Sequence, residues 1–263
     1  MYDFEYARPT SIADAVRYLG EADAKALAGG QTLIPVLKQR LNKPTVVVDL
    51  AKTGMTGITV SGNTVTIGAM TTHASVAGNA EVKAKIPALA HLAAHIGDEQ
   101  VRHRGTIGGS LANNDPSADY PSAVLALGAT IKTNKREIKA DDFFQGMFTT
   151  ALGQDEIITA VTFPIPEKAA YEKFPNPASR YAIVGVFVAK TAGGVRIAVT
   201  GAGQGGVFRH TAMETALASN FSAGAISGVT TPADGLNGDI HASAEYRAHL
   251  VGVMAKRALA KAS

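Results

Sequence analysis

With 263 residues, 46% of them apolar and 18% charged, the chain has the composition of a soluble globular protein large enough for two or three subdomains. A net charge of +3, from 25 basic and 22 acidic residues without a long basic run, argues against nucleic acid as a partner. No cysteine is present, which excludes disulfides, thiolate zinc sites and an iron–sulfur cluster ligated by this chain.

Residues 1–9 carry Asp3, Glu5 and Arg8 and no apolar segment, so no signal peptide is expected. The apolar stretch at 182–189 is too short to span a bilayer, and a cytoplasmic location is the default expectation. Thr10 and Ser11 then offer an N-cap to a helix carrying Ile12, Ala15, Val16 and Leu19, closed by Gly20. Lys25-Ala26-Leu27-Ala28 reads as a buried strand entering Gly29-Gly30. Residues 33–41 have helical spacing with Pro35 in the first turn, and 45–50 is a β-branched strand. Together these make a small βαβ unit.

A hairpin is predicted from 58–60 and 64–67 around Ser61-Gly62-Asn63. Helical patterns follow at 72–77 and from Pro87, where Leu89, Leu92, Ala93 and Ile96 share a face ended by Gly97. Beyond a second glycine doublet and a polar loop come a helix at 121–127 closed by Gly128 and strands at 130–133 and 157–163. Asp141 and Asp142 are expected to cap a short helix at Phe143-Phe144. Pro164, Pro166, Pro175 and Pro177 mark a break. After it, 181–190 and 195–201 pair antiparallel across Gly193-Gly194, followed by helices near 211–217 and 243–260.

Two glycine doublets carry the chemistry. Ala28-Gly29-Gly30-Gln31-Thr32-Leu33 and Thr106-Ile107-Gly108-Gly109-Ser110-Leu111 lie about 80 residues apart, and each reads as a tight turn with bare backbone amides. The first sits at a helix N-terminus, where amides and dipole favour an anion and Thr32 adds a hydroxyl. It is neither G-x-G-x-x-G nor a P-loop, so a nicotinamide Rossmann site is not expected; an ordinary βα turn stands beside the anion site as a reading. The segment 102–121 offers amides, hydroxyls and two carboxylates without periodicity. It fits either a ligand-binding stretch or a long loop in which Asp119 caps the next helix. His91 and His95, four apart, lack a third metal ligand, and Tyr246, Leu250 and Val253 form a packing stripe. Residues 201–206 read as a turn after a strand. With no Ser/His/Asp order and no paired carboxylates, redox chemistry would have to come from a cofactor.

AGGQTLIP with the following LKQRLNKP, the long stretch IGDEQVRHRGTIGGSLANNDPSADYPSAVLALGA and the C-terminal DIHASAEYRAHLVGVMAKRAL resemble, in order, three motifs of the medium flavoprotein subunits of molybdenum hydroxylases. That family includes the carbon monoxide dehydrogenase medium subunit and the flavin domain of xanthine dehydrogenase. The resemblance implies an α+β fold: a two-subdomain FAD-binding domain of the vanillyl-alcohol-oxidase (PCMH) type over 1–56 and 57–165, plus a C-terminal α+β domain over 166–263. It implies FAD contacts by Ala28, Gly29, Gly30, Gln31, Thr32 and Leu33 and by Thr106, Ile107, Gly108, Gly109 and Ser110, both arms meeting the diphosphate. Asp119 matches a carboxylate on the adenosine side, Ile158 a position packed near the cofactor, and Lys173 and Tyr181 positions lining the isoalloxazine. Gln31-Thr32 stand where the carbon monoxide branch has His-Ser, and His103 where asparagine is common. The absence of cysteine excludes the iron–sulfur insertion of the benzoyl-CoA reductase branch.

The implied function is electron transfer. A large partner would hold the molybdenum cofactor and a small one the [2Fe-2S] clusters, in a dimer of heterotrimers. FAD here would pass electrons to NAD, oxygen or a quinone. A stand-alone flavin reductase of the same fold and a non-catalytic nucleotide-binding assembly module are the alternatives.

Overall fold

The βαβ unit seeds the first of three larger sheets, a fourth being a two-stranded hairpin. The computed structural model describes residues 1–262. Strands β1 (Glu5–Ala7), β2 (Lys25–Leu27) and β3 (Val46–Asp49) pair in parallel in the order β1-β3-β2, with helices α1 (Ile12–Leu19) and α2 (Leu33–Lys38) between them. Helix α1 starts at Ser11, whose hydroxyl accepts the Asp14 amide, and it buries Ala15 and Leu19. Strand β2 is not the buried strand expected: Lys25 and Ala26 are exposed. It is an edge strand, and its uncovered side borders a cleft. Helix α2 stops short of Leu41 because Arg40 turns to a φ of +58°.

The second sheet is antiparallel, in the order β4-β5-β10-β6-β7. The predicted hairpin is β4 (Ile58–Ser61) and β5 (Thr64–Gly68), turning at Gly62 with φ +55°. Strand β6 spans Thr130–Thr133, β7 Glu137–Lys139, and β10 (Ile158–Pro164) lies between β5 and β6. Six helices fill the interval from β5 to β6: α3 (His73–Gly78), α4 (Ala80–Lys85), α5 (Pro87–Ala94), α6 (Glu99–Arg104), α7 (Ile107–Asn113) and α8 (Tyr120–Leu127). Every residue of α8 is buried, which makes it the centre of the core. Helix α5 ends at Ala94, so Ile96 lies beyond the helical face assigned to it. Helices α4 and α6 bury one residue and none, so they escape a periodicity reading; Asn79 and Asp98 start them by accepting the Val82 and Val101 amides.

Helix α9 (Ala140–Phe143) contains Asp141 and Asp142 instead of being capped by them. Asp141 pairs with Arg196 at 2.9 Å and Arg209 at 3.4 Å, tying the second sheet to the third. Next comes a separate hairpin, β8 (Phe144–Gly146) and β9 (Thr149–Thr150), anchored by Asn114. Asn114, at φ +43°, donates its amide to the carbonyls of Gly146 and Thr149 at 2.8 and 2.9 Å, and its own carbonyl accepts the Phe148 amide. Asn114→Ala strips both donors and strains the left-handed backbone. It is expected to cost about 1–3 kcal/mol in urea denaturation, of which Asn114→Gly should recover only the backbone part.

The third sheet is antiparallel, β11 (Lys168–Pro175), β12 (Ala182–Thr191), β13 (Gly194–Thr200) and β14 (Phe208–Arg209) in sequence order. Strand β11 occupies the proline-marked break, which as an edge strand it tolerates with Pro175 at its end. One face packs on α11 (Ala244–Lys261), with α10 (Thr211–Leu217) against β13; α5 and α8 also pack on this sheet. Covered on both faces, β12 reads as a continuous apolar run. In the stripe read on α11, Leu250 is buried while Tyr246 is exposed, edge-on to Phe174.

Candidate functional site

The first glycine doublet forms a turn with free amides. Beyond β2, Gly30 takes a φ of +75°, and the first helical bond runs from Ile34 N to Gly30 O at 3.1 Å. Among the described residues, the amides of Gly29, Gly30, Gln31, Thr32 and Leu33 meet no acceptor, and the Gln31 amide side chain folds back onto Gly29 O. Thr32 holds the N-cap position without a side-chain cap bond, which leaves its hydroxyl available.

The second doublet is not a turn. Gly108 and Gly109 lie in the first turn of α7, capped by Thr106, whose hydroxyl accepts the Gly109 amide. The Ile107 amide donates to Thr71 O, Gly108 to Ala69 O and Ser110 to Thr106 O, so no bare amides remain at these positions. The reason for glycine here is proximity: a Cβ on Gly108 would lie 2.6 Å from the Ala69 Cβ. The two arms also touch each other. A Cβ on Gly29 would collide with the Arg104 carbonyl and lie 2.7 Å from the Gly105 Cα, and one on Gly109 would lie 3.3 Å from the Ala28 Cβ.

A cleft of about 550 Å3 opens along this seam. It is lined by Ala28, Gly29, Gly30, Gln31, Thr32, Leu33, Thr106, Gly108, Gly109, Ser110, Asp119, Ile158 and Tyr181. Two residues matched to the cofactor do not line it. Ile107 is fully buried in the core. Lys173 lies behind Asp119, its ammonium 2.9 Å from Asp119 Oδ1 and donating to the carbonyls of His95 and Arg180.

Asp119 precedes α8 but makes no cap bond; its Oδ1 instead accepts the Tyr171 hydroxyl at 2.5 Å. Burial lifts the Asp119 carboxyl above its ordinary range, opposed by the Lys173 charge and the Tyr171 hydrogen bond. Tyr181 stands half-exposed in the cleft wall, its phenol raised by burial and by Asp115 and Asp119. Glu156, also in the lining, is held at about 2 by its hydrogen bond from Arg136.

His73 and Gly105 complete the seam; Gly105 belongs to the polar segment 102–121 without being matched to the cofactor, and His73 lies outside both motifs. A Cβ on Gly105 would lie 2.5 Å from His73 Nε2, so the imidazole, Gly105 and Gly29 stack in succession. The signal was one of proximity in space, since His73 stands some 30 residues before the second motif. Burial, with the Arg102 charge second, pushes His73 down to about 4, so it is neutral at physiological pH. An unfolded histidine takes up its proton near pH 6.5. The depressed native value therefore contributes stability that is present above about pH 6.5 and lost as pH falls toward 4, up to about 3 kcal/mol. Urea denaturation at pH 7 and pH 5 should show His73→Gln losing less stability between the two than the native chain.

No group of three or more His, Asp or Glu converges as a metal site among the described residues. His91 and His95 stack with ring centroids 4.2 Å apart, and His95 Nδ1 bonds the His91 carbonyl. No helix among the described residues is long and apolar enough to cross a membrane.

The fold is an α+β framework in which one cleft is lined by residues carrying free amides, hydroxyls and a carboxylate. Residues 2–166 match the family described as the FAD binding domain in molybdopterin dehydrogenase. The chain is 36% identical to the carbon monoxide dehydrogenase medium chain of Afipia carboxidovorans, the alignment covering 98% of this chain and 96% of the relative. It is 38% identical to the nicotine 6-hydroxylase medium subunit of Paenarthrobacter nicotinovorans, over 98% and 96% of the two. Among solved structures it superposes on carbon monoxide dehydrogenase from Hydrogenophaga pseudoflava with a TM-score of 0.88 and 35% identity, over 98% of this chain and 96% of that one. The chain belongs to this FAD-binding family, the medium subunits of molybdenum hydroxylases.

Proposed function

We propose that this chain holds one FAD in the cleft and relays electrons within a molybdenum hydroxylase. The reading takes them from [2Fe-2S] clusters on a small partner, fed by a molybdenum cofactor on a large one, and delivers them to NAD, oxygen or a quinone. The observation that carries it is the set of five acceptor-free amides at residues 29–33 facing a cleft walled by the second arm. Such amides suit a diphosphate, and the buried Asp119 carboxylate suits a hydroxyl donor. The residues present thus fit FAD.

In this reading the first arm receives the diphosphate through its amides and the Thr32 hydroxyl. Ser110 adds a hydroxyl from the facing wall, while Ile158 and Tyr181 exclude water from the ring system. FAD, when bound, supplies hydride and single-electron chemistry that no side chain offers. The names of the relatives, medium chains and subunits of dehydrogenases and hydroxylases, support the large and small partners. A dimer of heterotrimers in the cytoplasm is the proposed assembly.

Purification of the tagged chain from its native source tests this directly. It should bring down a molybdenum-containing large chain and a cysteine-rich small chain in equal amounts. A flavoprotein recovered alone that turns over a substrate unaided would contradict the relay.

A further inference from the structure

Asp119 reaches the cleft with one oxygen committed and the other free. Oδ1 accepts the Tyr171 hydroxyl at 2.5 Å and pairs with the Lys173 ammonium at 2.9 Å. Both partners come from β11 and neither lines the cleft. Oδ2 has no hydrogen-bond partner among the described residues, although Asp119 itself is part of the lining. The carboxylate is therefore held from behind. Tyr171 is well placed for this: 2% exposed, it rests beside Phe187 with ring centroids 6.2 Å apart, so its hydroxyl has little freedom to point elsewhere.

We propose that Tyr171 is a positioning residue for the cofactor: with Lys173 it holds Asp119 ionised and turned so that Oδ2 accepts a hydrogen bond from a sugar or ribityl hydroxyl. This rests on the FAD reading above. An ionised carboxylate accepts hydrogen bonds and donates none, so its ligand partner is a donor, such as a sugar hydroxyl, and not a phosphate. Ionisation has to be maintained against burial, which on its own favours the protonated acid. Around Asp119 the groups that matter are Lys173 and Tyr171 on β11, His95 after α5, Tyr120 on α8, and Tyr181 before β12. Of these, Lys173, Tyr171 and His95 favour the carboxylate.

Tyr171→Phe removes one oxygen and keeps the ring against Phe187. FAD affinity, followed by flavin fluorescence across pH, should fall about tenfold at neutral pH, as for removal of a supporting partner behind a ligand-binding group. The acid limb of binding, where Asp119 takes up its proton, should move to higher pH, a change that simple loosening would not produce. Asp119→Asn should lack that limb, and adding Tyr171→Phe to it should cost nothing more. A native chain that binds no FAD overturns the FAD reading and this inference with it. A native chain that binds FAD while Tyr171→Phe keeps its affinity and pH profile overturns the inference alone. Equal losses from Tyr171→Phe in the native and Asp119→Asn backgrounds would also overturn it.

Discussion

Gly29→Ala should weaken FAD binding by about 100-fold and destabilise the flavin-free chain by about 1–3 kcal/mol. The added methyl has nowhere to go, because its position coincides with the Arg104 carbonyl and lies against the Gly105 Cα. Backbone cannot swing aside as a side chain can, so the two arms must separate. Separation widens the cleft at the point where the free amides of residues 29–33 face it. At Gly30 the cause would differ: its φ of +75° and the Ile34 side chain, 2.5 Å from where a methyl would sit, oppose any Cβ there. Gly252→Ala is the control, since a Cβ inside α11 meets nothing within 4 Å and should stabilise by about 0.5–1 kcal/mol. Flavin titration and urea denaturation of the two variants, measured in parallel, separate loss of the seam from a general effect of removing glycine.

Lys173→Met carries the second large effect. The side chains of Lys173 and Asp119 are 6% and 4% exposed, and the Lys173 charge is the largest influence opposing protonation of the buried Asp119 carboxyl. Removing the ammonium strands a buried carboxylate, a loss of about 3–5 kcal/mol at neutral pH. It also takes a donor from the carbonyls of His95 and Arg180, which join α5 to the loop before Tyr181. The Asp119 carboxyl is already lifted above its usual range, and loss of Lys173 lifts it further. A carboxyl with a raised native value contributes most below its unfolded value, and that contribution is lost as pH rises through the native one. The variant's deficit should therefore shrink toward acid pH and grow toward neutrality in denaturation curves. A deficit that is constant with pH would mean that packing, not charge, makes the pair matter.

The sequence makes some elements plain and hides others for physical reasons. Helix α1 is legible because Ser11 caps it and its apolar residues keep helical spacing, and the β4–β5 hairpin because Gly62 supplies a positive φ between alternating strands. Helix α7 is hidden. Two adjacent glycines disfavour a helix by about 1 kcal/mol each, and only contact with Ala69, remote in the chain, requires Gly108. Strand β11 is masked by prolines on either side, although its place at a sheet edge makes Pro175 harmless.

The same division runs through the site. Residues 28–33 combine glycine, hydroxyl and helix start within one short segment, so their chemistry can be read locally. The resemblance selects Lys173 by position, yet the three groups receiving its ammonium come from three separate parts of the fold. Tyr171 and His73 belong to neither glycine motif, and only the folded geometry sets them behind Asp119 and Gly105.

Titration of FAD into the flavin-stripped chain, read by flavin fluorescence and by Tm, tests the central claim most directly. The structure predicts saturation at one FAD per chain, a rise in Tm with FAD concentration and loss of both in Gly29→Ala. A chain that stays colourless, with a Tm indifferent to FAD, would contradict it.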